Sequence, residues 1–126
     1  MKKLLLGAVA SMVLLCFSAG AWADPVSEVF ECKLEKGKTL DDAQAVNKTW
    51  LAFMKANVSE EITSVAATVL VGKSDGFLYV DTYPDLATWT AGKAALETDE
   101  GQAAENAFGD VMECEKTTLY TIHRSE

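Results

Sequence analysis

Apolar and polar residues alternate from Val26 to Leu34, with Phe30, Cys32 and Leu34 on one side and Val29, Glu31 and Lys33 on the other. That is the period of a half-buried strand. Glu35-Lys36-Gly37-Lys38 breaks the alternation, and beyond it the spacing changes. Leu40, Ala43, Val46, Trp50, Phe53 and Met54 recur at three and four residues, which predicts a helix capped by Thr39, with Asp41 and Asp42 in its first turn, running to about Ala56. Ile62 to Val71 is rich in Val, Thr and Ile, and Gly72-Lys73-Ser74-Asp75-Gly76 is turn chemistry before a further strand, Phe77 to Tyr83, so the two strands form a hairpin. Pro84 ends that strand, and Asp85 caps a second helix whose inner residues are Leu86, Trp89, Ala94 and Leu96. The pattern is interrupted around Thr98, where Asp99 and Gln102 suggest a new capping box, and then continues through Ala103, Ala107, Phe108 and Val111 to about Cys114. Thr117 to His123 reads as the last strand.

The order β-α-β-β-α-β is that of a ferredoxin-like α+β domain, a four-stranded antiparallel sheet of order 4-1-3-2 with two helices on one face. A monomer of this design needs a polar outer face on its sheet. Here Val65, Ala67, Val69 and Val71 alternate with Ile62, Ala66 and Leu70, and Phe77, Tyr79 and Tyr83 with Leu78 and Val80, so both faces are apolar. A second copy packed against the open face is the economical cover, and a homodimer is expected.

The domain begins after a different kind of segment. Lys2 and Lys3, an apolar run from Leu4 to Ala19, and Ala21-Trp22-Ala23 before Asp24-Pro25 match the three parts of a secretory signal peptide, Met1 to Ala23. The run is about 16 residues with Gly and Ser inside it, short of the roughly 20 that a spanning helix needs. Cys16 follows Leu14 and Leu15 rather than a small residue, which argues against lipidation. Cleavage leaves residues 24–126 as a single domain, periplasmic or secreted and free of the membrane. The formal net charge of −8 becomes −10 once Lys2 and Lys3 leave, and with no basic cluster to override it, nucleic-acid binding is disfavoured. Cys32 and Cys114 are then the two remaining cysteines in an oxidising compartment, so a disulfide is expected; the fold places them at neighbouring strand ends. One histidine and two widely spaced cysteines cannot build a zinc site, and no calcium loop is present, so no metal or cofactor is expected.

Taken with its strand-to-helix corner, Tyr83-Pro84-Asp85-Leu86-Ala87-Thr88-Trp89, this topology resembles the dimeric α+β barrel superfamily, and within it the antibiotic-biosynthesis-monooxygenase branch. The resemblance spans nearly all of the domain and implies two ferredoxin-like subunits packed sheet to sheet. It also implies a range of activities, from cofactor-free oxygenases to members without one. Asn47 and Trp50, three apart on the first helix, are similar in type to residues that position aromatic substrates in some oxygenase relatives. The second helix lacks the histidine that the haem-degrading branch places there. Among the residues themselves, His123 is the lone histidine and a weak acid-base candidate, while Tyr79, Asp81 and Tyr83 share one side of their strand and, with Trp50 and Trp89, are candidates to line a ligand cleft. No catalytic set of the Ser/His/Asp kind, phosphate loop or dinucleotide fingerprint occurs. The first expectation is therefore a non-catalytic domain that binds a small apolar or aromatic ligand or a protein partner. The alternative is a cofactor-independent oxygenase acting on an aromatic substrate, which requires a cavity bordered by Asn47, Trp50 and the aromatic strand.

Overall fold

The computed structural model describes residues 23–126, so all but the last residue of the expected signal peptide lies outside the described residues. The elements are β1 (Val26–Leu34), α1 (Leu40–Asn57), β2 (Thr63–Ala67), β3 (Phe77–Tyr83), α2 (Leu86–Leu96), α3 (Asp99–Asn106), a 3-10 turn (Ala107–Asp110) and β4 (Met112–Thr121). The four strands form one antiparallel sheet in the order β2-β3-β1-β4, the ferredoxin-like arrangement. Thr39 caps α1 as its sequence suggests: Asp42 N–H donates to the Thr39 hydroxyl at 3.3 Å and the Asp42 carboxylate accepts from Thr39 N–H at 2.8 Å.

Three boundaries differ from the sequence expectation, each for a physical reason. β2 stops at Ala67 instead of Val71, because its last rung is Ala67 against Leu78 and the chain to Phe77 turns through Gly72, whose φ of +112° no side chain tolerates well. Leu70 and Val71 are left 95% and 94% exposed on that loop, their strand propensity overridden. The second helix is two helices, with Thr98 and not Asp99 as the cap: Gly101 N–H donates to the Thr98 hydroxyl at 3.1 Å, and that hydroxyl donates to the Ala95 carbonyl at 2.7 Å. A Cβ on Gly101 would overlap the Ala95 carbonyl, so glycine lets the first turn of α3 lie against the end of α2. The last strand starts at Met112, five residues earlier than Thr117, and therefore contains Cys114 instead of following it.

That early start places Cys114 directly across from Cys32, and the two form a disulfide at a bulge in the β1–β4 ladder, linking residues 82 apart in sequence. A link over such a span stabilises a chain by about 4 kcal/mol in the chain-entropy model. Between sheet and helices the core forms two clusters, one around Trp50, Met54, Ile62 and Tyr83, the other around Cys32, Ala43, Phe77, Tyr79 and Met112. Phe108, from the 3-10 turn, packs against both. On the open face the register lines up Val65, Val80, Val29 and Thr118 across the four strands. Val65 remains 57% exposed and Tyr120, on the same face, 49%.

Candidate functional site

Strand alternation decides which side chains reach the interior. Along β3, Phe77, Tyr79, Asp81 and Tyr83 are all buried on the helix side. Their partners across β1 are Cys32, Phe30, Glu28 and Val26, and the partner of Asp81 across β2 is Ser64. Two acidic residues thus face each other across β1 and β3 on the buried side of the sheet, a costly pairing unless each is satisfied.

Glu28 is satisfied. Lys93 of α2 reaches it at 2.8 Å, and the Trp89 indole N–H donates to it at 3.1 Å. Asp81, only 5% exposed, has no cation within ion-pair distance among the described residues. Its one side-chain partner is Ser64, whose hydroxyl donates to Asp81 Oδ1 in a short hydrogen bond. Burial pushes the Asp81 carboxyl up to about 7; the Ser64 hydrogen bond pulls it down, the charge of Glu28 pushes it further up, and Lys93 opposes.

Asp81 and Asn47 border a cavity of about 270 Å³ between the sheet and the helices. Phe30, Trp50, Tyr79 and Phe108 form its aromatic walls; Phe108 lies edge-on to both Trp50 and Tyr79, with ring centroids 6.4 and 6.3 Å away. Glu28, Lys93 and Glu105 add charge, and Cys114 brings the disulfide to the wall. The Tyr79 hydroxyl is buried and has no hydrogen-bond partner among the described residues. Burial, and then the charge of Asp81, raise the pKa of that phenol, so it stays protonated and able to donate. The cavity is thus bordered by a carboxyl group poised near neutrality and by flat apolar walls.

Of the residues singled out from sequence, Asn47, Trp50, Tyr79 and Asp81 meet at this cavity. Trp89 does not line it, but its indole N–H holds Glu28, which does. Tyr83 does not line it; the ring is 1% exposed in the hydrophobic core, close to where a Cβ on Gly92 would sit. His123 does not line the cavity: β4 ends at Thr121, the chain continues past Pro25, and the imidazole lies exposed 3.7 Å from Asp24. Glu28, Ser64 and Lys93 were not foreseen. Glu28 carried a signal, because period two from Phe30 and Cys32 puts it on the buried side of β1. Lys93 and Ser64 carried none, since their roles depend on which elements pack together.

No family model matches the sequence, and no curated protein matches it as a relative. Solved structures do match its shape. SnoaB, a cofactor-independent oxygenase from Streptomyces nogalater, superposes in a mutant form with a TM-score of 0.60 at 14% identity, over 82% of this chain and 97% of its own. The fold is the ferredoxin-like one of that oxygenase. A candidate antibiotic biosynthesis monooxygenase from Chloroflexus aurantiacus gives 0.56 at 12% identity, over 81% of this chain and 96% of its own. Another, from Caulobacter crescentus, gives 0.55 at 17%, over 83% and 93%. The fold predicted from the β-α-β-β-α-β pattern is thus the one found.

Proposed function

We propose that this chain is a cofactor-independent oxygenase that takes a small aromatic substrate into the cavity and uses Asp81 as its general base. One observation carries the reading: a buried carboxyl group poised near neutrality, without a cation partner, at an aromatic-walled cavity. The likeness in shape to SnoaB supports it.

A substrate suited to this site bears a methylene or phenol acidified by a conjugated carbonyl. The Asp81 carboxylate accepts the proton, and the electron pair remains on the substrate as a ring-delocalised anion. The Tyr79 ring borders the same cavity, and in this reading its hydroxyl donates to the oxygen on which that charge collects. The anion reduces dioxygen, and a methylene becomes a carbonyl. Both C–H bonds of the methylene and the O–O bond break; one oxygen atom stays on the carbon as the carbonyl oxygen, and the other leaves with the two hydrogens as water. Trp50, Phe30 and Phe108 offer the rings apolar faces to pack against.

The same reading makes the protein an exported homodimer. The apolar row Val65, Val80 and Val29 supplies a surface for a second copy, and the pattern of residues 1–23 supplies the export signal. Oxygen uptake with a hydroxyanthrone as probe, without added cofactor, tests the activity. One dioxygen consumed per substrate is the expected result, and uptake no faster than with the Asp81→Asn variant overturns it. Quenching of tryptophan fluorescence by the probe in a Trp89→Phe variant of the cleaved domain, without oxygen uptake, would return the cavity to a binding role alone.

A further inference from the structure

Ser64 has one proton and two acceptors for it. Its oxygen lies within hydrogen-bond distance of Asp81 Oδ1 and 3.2 Å from Asn47 Oδ1, while Asn47 Nδ2 donates to it at 2.9 Å. When Asp81 is charged, the Ser64 proton belongs on Oδ1 of the carboxylate and Asn47 Nδ2 fills the lone pair of the hydroxyl. When Asp81 holds a proton, a carboxylic acid needs an acceptor of its own, and the Ser64 hydroxyl can rotate toward Asn47 Oδ1 and accept from Asp81.

We infer that Ser64 is a positioning residue, a hydroxyl rotor between Asp81 and Asn47 that keeps Asp81 hydrogen-bonded in both of its protonation states. The inference rests on Asp81 being the base proposed above. It gives Asn47 a place behind Ser64 in a directed chain from α1 through β2 to β3, in addition to its place at the cavity wall. A base that must take a proton and return it in every cycle gains from such an arrangement, because neither state strands a buried polar group. Around Asp81 the other ionisable groups are Glu28 on β1, Tyr79 and Tyr83 on β3, Lys93 on α2 and Glu105 on α3. Glu28 and Lys93 pair with each other, so Ser64 is the group whose hydrogen bond favours the charged state of Asp81 without adding charge.

The test is the titration of the Asp81 carboxyl, followed by carbon NMR in the full disulfide-bonded chain, in the wild type and in Ser64→Ala, Ser64→Thr and Asn47→Ala. Ser64 bonds both states but the charged one more strongly, by about one pH unit, so the Ser64→Ala midpoint is expected to rise by that amount, to fall back in Ser64→Thr, and to rise less in Asn47→Ala. The midpoint of any oxygenation rate against pH should shift with it. An unchanged or lowered midpoint in a folded Ser64→Ala variant overturns the rotor. Because the readout is a titration, it decides this inference even if oxygen uptake fails, and an Asp81-dependent uptake with an unmoved midpoint rejects the rotor alone.

Discussion

Asp81 costs the fold most when it is charged. Its folded-state value, about 7, lies above the 3.8 of an ordinary aspartate, chiefly through burial. Between those values the folded chain keeps a proton that the unfolded chain has released, so the contribution of this group to stability falls as pH rises through that window and is constant above it. Asp42 and Asp85 behave in the opposite sense. Backbone hydrogen bonds at the caps of α1 and α2 hold them low, and their contribution is lost as pH falls through the carboxylate range. Asp81→Asn, which cannot ionise, should therefore be more stable than the wild type at pH 8 and should lose the decline between about pH 4 and 7, as urea midpoints measured across pH will read. The side of β3 on which Asp81 sits could be read from alternation in sequence. Its partner Ser64 could not, because the rung joining them depends on a strand register fixed by a loop whose length the apolar run Val69 to Val71 obscures.

Elements were legible where periodicity was long and capped, as in β1 and α1, and misread where propensity and tertiary geometry disagreed. Val69, Leu70 and Val71 look like a strand and form a loop, since β3 has no rungs left to pair with them. Val111 to Cys114 continues a helical spacing in sequence, yet the chain is drawn into β4, where the Glu35 N–H donates to the Val111 carbonyl at 2.9 Å and Cys114 meets Cys32. The break between α2 and α3 was visible at Thr98, but its cause, the close approach at Gly101, was not. That approach is testable. Alanine normally favours a helix over glycine by about 1 kcal/mol. Gly101→Ala should nevertheless destabilise the protein by roughly 1–3 kcal/mol, because its Cβ meets backbone that cannot move aside, and thermal unfolding measures the sign directly.

At the scale of the whole molecule, the helix side of the sheet carries the cavity and Asp81 and the open side carries the apolar row, proposed to serve oxygenation and a second copy respectively. Val80 is central in the apolar row, between Val65 and Val29. Val80→Lys should leave the subunit folded and shift it to monomers, as light scattering at micromolar concentration would register; a wild type that is already monomeric would remove the dimer from the account. The two sides are separated by one sheet thickness, so the cavity and Asp81 should survive that substitution. The central claim concerns Asp81 itself, and the rate of hydroxyanthrone oxygenation against pH tests it most directly. The wild-type rate should rise through a midpoint near pH 7, and Asp81→Asn should be slower by roughly a hundredfold or more with that rise gone. A variant that retains both the wild-type rate and its dependence on pH would contradict the account.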